Sequence, residues 1–277
     1  MASDSLFAAL GAAPNDVLSV FFILYVLASI LVYISLIWQI NARTSASVDE
    51  PKRTFGLPEA ILAGALIFLL LLNVSASVSN RSVQLNPRNL LENLVFTLAV
   101  VLFIVAFMRF RGFDLSSLGG FFKISFLRVL STGTILLFFA YSLIFVSELI
   151  TQRLFGSGSS KQNIVELFSG SRTIEQRIMI IVFAVAIAPV VEEFLFRFFL
   201  YGVLKRYFGR FLGMIVNALL FAAAHTHLPS FVPLFILGSC FTIAYEWSGS
   251  ILVSMTMHAL FNSLSLTALA FPELFSQ

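Results

Sequence analysis

Glu192, Glu193 and Arg197 lie within six consecutive positions of an apolar run extending from about Ile178 to Leu204. A charge at the centre of a bilayer costs from ~3 to more than ~10 kcal/mol, so such groups need a partner, a water-filled cavity or a chemical task. The chain has three histidines, His225, His227 and His258, and all follow this run inside apolar stretches. On a helix Glu193 and Arg197 share a face, about 40° apart, and can pair. Glu192 points about 100° away from Glu193 and is left to face a different surface. His225 shares a stripe with Phe221, and the three alanines between them admit a close neighbouring helix. His227 would lie about 200° around from His225 if the helix continued, and it adjoins Pro229, so it reads as interfacial. His258 and Asn262 are again four apart and on one stripe.

These types suit hydrolysis. A carboxylate in low-dielectric surroundings holds a proton more tightly than in water and serves as a general base. A neighbouring imidazole can share the activation of water, while a second imidazole and an amide can donate to the oxyanion of a tetrahedral intermediate. In roles, Glu192 with His225 would activate water, His258 with Asn262 would stabilise the oxyanion, and Glu193–Arg197 would hold the helix and tune the field. The blander reading is that the charges staple helices together and that His258 and Asn262 are interhelical hydrogen-bond partners. Ionisable groups inside spans mark function by default, which favours the chemical reading.

The elements that must position these residues are membrane helices. Of 277 residues, 59% are hydrophobic and 11% charged, with a mean hydropathy of +0.97. Soluble domains sit near ~45–50% apolar and ~25% charged, so an all-α polytopic bundle is expected, in one integral-membrane domain over 1–277. Spans of about 20 residues fall at about Val17–Ile40, Leu57–Val78, Leu90–Met108, Phe121–Leu149, Ile178–Leu204, Phe211–Leu228, Val232–Trp247 and Ile251–Ala270, eight in all. Pro189 predicts a kink just before the glutamates. A basic n-region is missing ahead of the first span, which reads as retained rather than cleaved. With the N-terminus outside, the inside connections hold nine basic residues, including Lys205, Arg206 and Arg210, against six outside. That distribution orients both ends outward. The single cysteine, Cys240, excludes an intramolecular disulfide and a multi-cysteine metal site.

Glu-Glu-x-x-x-Arg (Glu192, Glu193, Arg197), Phe-x-x-x-His (Phe221, His225) and His-x-x-x-Asn (His258, Asn262) together resemble the CPBP family. Its members are CAAX prenyl proteases of the Rce1 type and bacteriocin-processing or immunity proteins, also called the Abi family. The resemblance covers about 178–270; the earlier spans match only in being apolar. It implies an intramembrane endopeptidase in which Glu192 and His225 act on water, and a membrane-tethered protein or peptide substrate, of which a prenylated C-terminus is one form. The membrane would be the plasma membrane in a bacterium and the endoplasmic reticulum in a eukaryote.

Other protease chemistries are absent by motif. The chain has no His-Glu-x-x-His and no Gly-x-Ser-x-Gly. Asp4, Asp16, Asp49 and Asp114 all fall outside the expected spans, which removes an intramembrane aspartyl pair. Glu192, His225 and His258 also have the residue types of a His₂Glu zinc site. A metal-free mechanism with no cofactor is favoured, with zinc the alternative. Two other functions compete: a non-catalytic immunity or scaffold protein of the same fold, and a proton-coupled transporter using Glu and His as a relay. No feature suggests nucleic-acid binding. Substrate is expected to arrive from the side of Lys205, Arg206 and Arg210.

Overall fold

The computed structural model describes residues 17–46, 54–79, 87–155, 168, 170–171 and 173–271. Two features that the sequence suggests, a modest amphipathic patch at 164–168 that could lie on the membrane surface and a flexible Gly-Ser stretch at 156–160, lie almost wholly outside them. All regular structure among the described residues is helical, and the protein is a multi-pass integral membrane protein.

Helices α1 (Val17–Ala46), α2 (Leu57–Ser79) and α3 (Pro87–Phe110) are followed by a short α4 (Leu115–Gly119) and a long α5 (Phe126–Phe155). Asp114 caps α4, accepting from the Ser116 amide at 3.0 Å and its hydroxyl at 2.6 Å, and these bonds hold its carboxyl below the usual range. The expected fourth span begins later than its apolar run suggests, because Phe121–Ser125 turns rather than helixes. Next come α6 (Ile174–Ile181), α7 (Ala188–Glu193) and α8 (Tyr201–Ala224), with π-helical segments Val182–Ile187 and Phe194–Leu200 between them. A 3₁₀ turn, Leu228–Ser230, leads to α9 (Phe231–Ser248), and α10 (Ile251–Ala270) ends the described chain.

Among the described residues six helices are long and apolar enough to cross a membrane, and one runs over 51 residues, Ile174–Ala224. Gly209 divides it. Its φ of 78° and ψ of 171° are open essentially to glycine alone. The chain folds back there so tightly that a Cβ on Gly213 would sit 2.9 Å from the Lys205 amide nitrogen. This stretch therefore supplies the expected fifth and sixth spans as a hairpin. The third expected span survives as a shorter apolar helix, Val95–Phe110.

Apolar on all sides, α9 occupies the middle, as such a helix must. It packs against α8, α5, α10 and α1, burying Leu237, Gly238, Cys240 and Phe241. Large apolar side chains such as Leu18, Phe21, Leu69, Phe103 and Leu127 are exposed and face lipid. One end of the bundle is basic. Arg43 donates to the Trp247 carbonyl at 2.8 Å, and the Trp247 indole donates to Gln39 at 3.0 Å, tying α1 to α9.

Candidate active site

Pro189 sets the geometry around the two glutamates. In the π-helical segment before it, the Ala188 amide donates to the Phe183 carbonyl, five residues back. By the same register the Ala184 carbonyl would take its bond from residue 189, which has no N–H. Asn262 Nδ2 fills that place, donating to the Ala184 carbonyl at 2.7 Å. The helix answers proline with widened turns rather than the simple kink expected from sequence, and such π segments recur at functional sites.

Glu193 and Arg197 form the expected pair, Oε1 to guanidinium nitrogen 2.9 Å, with both side chains fully buried. Arg197 also donates to the Gly238 carbonyl at 3.2 Å, and its guanidinium carbon lies 4.2 Å from the Phe221 ring centre and 5.1 Å from that of Phe241. Two aromatic faces thus replace water around the cation. The same Glu193 oxygen stands 3.0 Å from His258 Nδ1. A carboxylate paired with arginine can only accept, so Nδ1 of His258 carries the proton. His258 Nε2 then faces Glu192 Oε2 at 3.9 Å, with the ring stacked on Phe241.

His225 reaches the same oxygen from another helix end. Helix α8 stops at Ala224, short of the expected Leu228, and the His225 and Thr226 amides make tight bonds to the Ala222 and Ala223 carbonyls. Thr226 then takes φ of +51° and turns the chain away. That ending leaves the Phe221 carbonyl without its usual amide. His225 Nδ1 donates to it at 2.8 Å, so in the neutral ring Nε2 is an acceptor, and it points to Glu192 Oε2 at 4.0 Å.

Three elements therefore aim three atoms at one place. Glu192 is 30% exposed and His225 26%, whereas His258 is 4% exposed, so the site has a buried wall and an open side. The gaps of 3.9 and 4.0 Å are too long for direct hydrogen bonds and suit a bridging water. Oxygen at ~2.8 Å from each atom of such a pair subtends about 90°, tolerable for a water. Zinc, with bonds of ~2.0–2.1 Å, would need an angle of about 150° there, far from tetrahedral. Among the described residues no group of three or more His, Cys, Asp or Glu stands at metal-holding distances. The residue types fit zinc and the spacing does not.

Asn262 and His227 each have a structural partner. Asn262 spends an amide hydrogen on the Ala184 carbonyl, which makes it a support of the glutamate helix. His227 turns to the Ser230 hydroxyl at 2.7 Å and belongs to the 3₁₀ turn. Glu193 is twelve residues from Lys205, about 18 Å along the helix, and His225 ends α8 at the pole remote from Arg210, so the glutamate site and the basic end are separate places on the molecule.

Residues 174–264 match the protein-family model described as type II CAAX prenyl endopeptidase, Rce1-like. This segment, about a third of the chain, is similar to the Rce1-like family. It contains Glu192, Glu193, Arg197, His225, His258 and Asn262. No curated protein and no solved structure matches the chain.

Two buried carboxylates outside the Rce1-like motifs were not singled out by sequence reasoning. Glu59 accepts from the Gly56 amide at 2.7 Å and from Arg111 at 2.9 Å, closing the start of α2. Glu246, near the end of α9, meets Lys205 at 2.5 Å, Arg210 at 2.8 Å and the Tyr201 hydroxyl at 3.1 Å, clamping the Gly209 hairpin. A lone acid in a span facing a Lys/Arg-rich turn was the available signal.

Proposed function

We propose that the protein is an intramembrane endopeptidase acting on a membrane-tethered protein or peptide, of which a prenylated CAAX-type C-terminus is one form. The observation carrying this reading is the approach of His225 Nε2 and His258 Nε2 to the same oxygen of Glu192 while each Nδ1 is engaged elsewhere. A water held there has two hydrogens and faces three acceptors if both rings are neutral. One of the three must therefore carry a further proton. We place it on His258 Nε2, whose ring is anchored through Nδ1–H on Glu193, and this leaves Glu192 and His225 to accept from the water.

With that assignment the steps balance. Glu192 and His225 accept from the water, whose oxygen attacks the peptide carbonyl as Glu192 takes its proton. The carbonyl oxygen becomes an oxyanion and accepts from His258 Nε2–H. The C–N bond then breaks, and the leaving amine takes the proton held by Glu192. Glu193 and Arg197 hold the His258 ring and bring no net charge to the wall behind it. No step requires zinc. Chelation is expected to leave cleavage unchanged, and stoichiometric zinc whose removal abolishes cleavage would refute this mechanism.

The reading is tested in cells by comparing the new peptide termini of membrane proteins made with the native protein and with Glu192→Gln. Termini present only with the native protein support an endopeptidase. Identical sets, with the variant at native abundance, return the protein to the scaffold or transporter readings.

A further inference from the structure

A cavity of about 970 Å³ opens at the basic end, between the residues before α2, the α4 turn, the Gly209 hairpin and the end of α9. Its lining includes Lys123, Lys205 and Arg206, with Ser117, and among the described residues Glu246 is its one carboxylate. That carboxylate is already met by Lys205 and by Arg210. Lys123 and Arg206 have no carboxylate partner among the described residues. The balance of charge over the cavity is therefore positive. The capping role of Asp114 places the next carboxylate in the sequence on α4, outside this lining.

The cavity is built by backbone that favours glycine. Gly120 and Gly249 have φ of +62° and +64°, and a Cβ on Gly120 would lie 1.9 Å from the Gly249 carbonyl oxygen. Lys123 follows from this contact. Its amide donates to the Gly120 carbonyl at 3.2 Å, and its ammonium lies where a Gly249 Cβ would be, 2.1 Å from that point. The ammonium is thus laid across the α9–α10 turn at the mouth of the cavity rather than extended from it.

Around this end Phe122, Tyr207, Phe208 and Phe211 are exposed, the composition of a bilayer interface. Basic pockets between membrane helices at that depth recognise phosphate-bearing headgroups, and each Lys or Arg near the surface contributes to the attraction. We propose that this cavity binds a phosphate-bearing anion, with Lys123 and Arg206 as the cations that face it and the Ser117 hydroxyl as a further donor. The bilayer supplies such an anion as an acidic phospholipid headgroup, and the aqueous phase as a soluble phosphate ester. The site stands about 18 Å along the helix from Glu193 and does not depend on what the Glu192 centre does.

The test is native mass spectrometry of the purified full-length protein with equimolar phosphatidylglycerol and phosphatidylcholine, with and without excess inorganic phosphate. Phosphatidylglycerol is expected to be retained about tenfold over phosphatidylcholine. Lys123→Ala combined with Arg206→Ala should bring the ratio below about twofold, and Lys123→Arg should preserve it. Resistance of the retained lipid to inorganic phosphate assigns the site to a headgroup. Binding of inorganic phosphate that depends on Lys123 and Arg206, without lipid preference, assigns it to a soluble phosphate. Equal retention of the two lipids with no phosphate binding overturns the proposal, as does a preference that the double variant keeps.

Discussion

One oxygen of Glu193 serves both Arg197, at 2.9 Å, and His258 Nδ1, at 3.0 Å, with all three side chains buried. The arginine fixes the carboxylate, the carboxylate fixes the ring, and the ring presents Nε2 to Glu192. Orientation passes through a buried ion pair, so removing one partner differs sharply from removing both. Arg197→Met leaves a buried carboxylate uncompensated and should lower unfolding free energy by about 3–5 kcal/mol. Glu193→Gln with Arg197→Met should cost clearly less than the two single changes added. Denaturant unfolding in micelles of the four proteins measures this, and simple additivity would show that the pair is not coupled.

Asn262 and Pro189 are linked through a carbonyl that neither owns. Asn262→Leu should cost about 1–3 kcal/mol by leaving the Ala184 oxygen unbonded in an apolar setting. Pro189→Ala restores an N–H at the position that lacks one, so the double variant should recover part of the loss. Thermal unfolding of the single and double variants decides it. No recovery would mean that the widened turn persists for reasons other than proline.

The Gly209 reversal predicts a steep contrast between two glycines. Gly209→Val forces a branched residue into a glycine-only region and should cost about 1–3 kcal/mol. Gly64→Ala, inside α2 with open space around its added carbon, should gain about 0.5–1 kcal/mol. Retention of native stability by Gly209→Val would remove the hairpin turn from the account.

The chemical residues were legible because ionisable side chains stand out in apolar runs, and four-residue spacing placed Glu193 with Arg197. The helical bundle followed from composition and span length for the same reason. The duty of Asn262 was hidden because it depends on a hydrogen-bond register that slips from four to five, for which Pro189 is a cue to disruption but not to its form. His225 was expected inside a helix; nothing local in Ala-Ala-Ala-His-Thr-His announces a threonine at positive φ. Glu246 escaped notice because its partners, Lys205 and Arg210, come from a hairpin whose closure rests on one glycine.

The central claim is that Glu192 and His225 act together on one water. Its most direct test is turnover of a membrane-tethered peptide by purified protein in liposomes, comparing the native chain with Glu192→Gln and His225→Ala. Both variants should unfold near the native temperature, yet each should lose about 10²–10⁴-fold in kcat, and the double variant should lose little more than either single one. Near-native kcat in either variant, with the protein folded, would contradict the account.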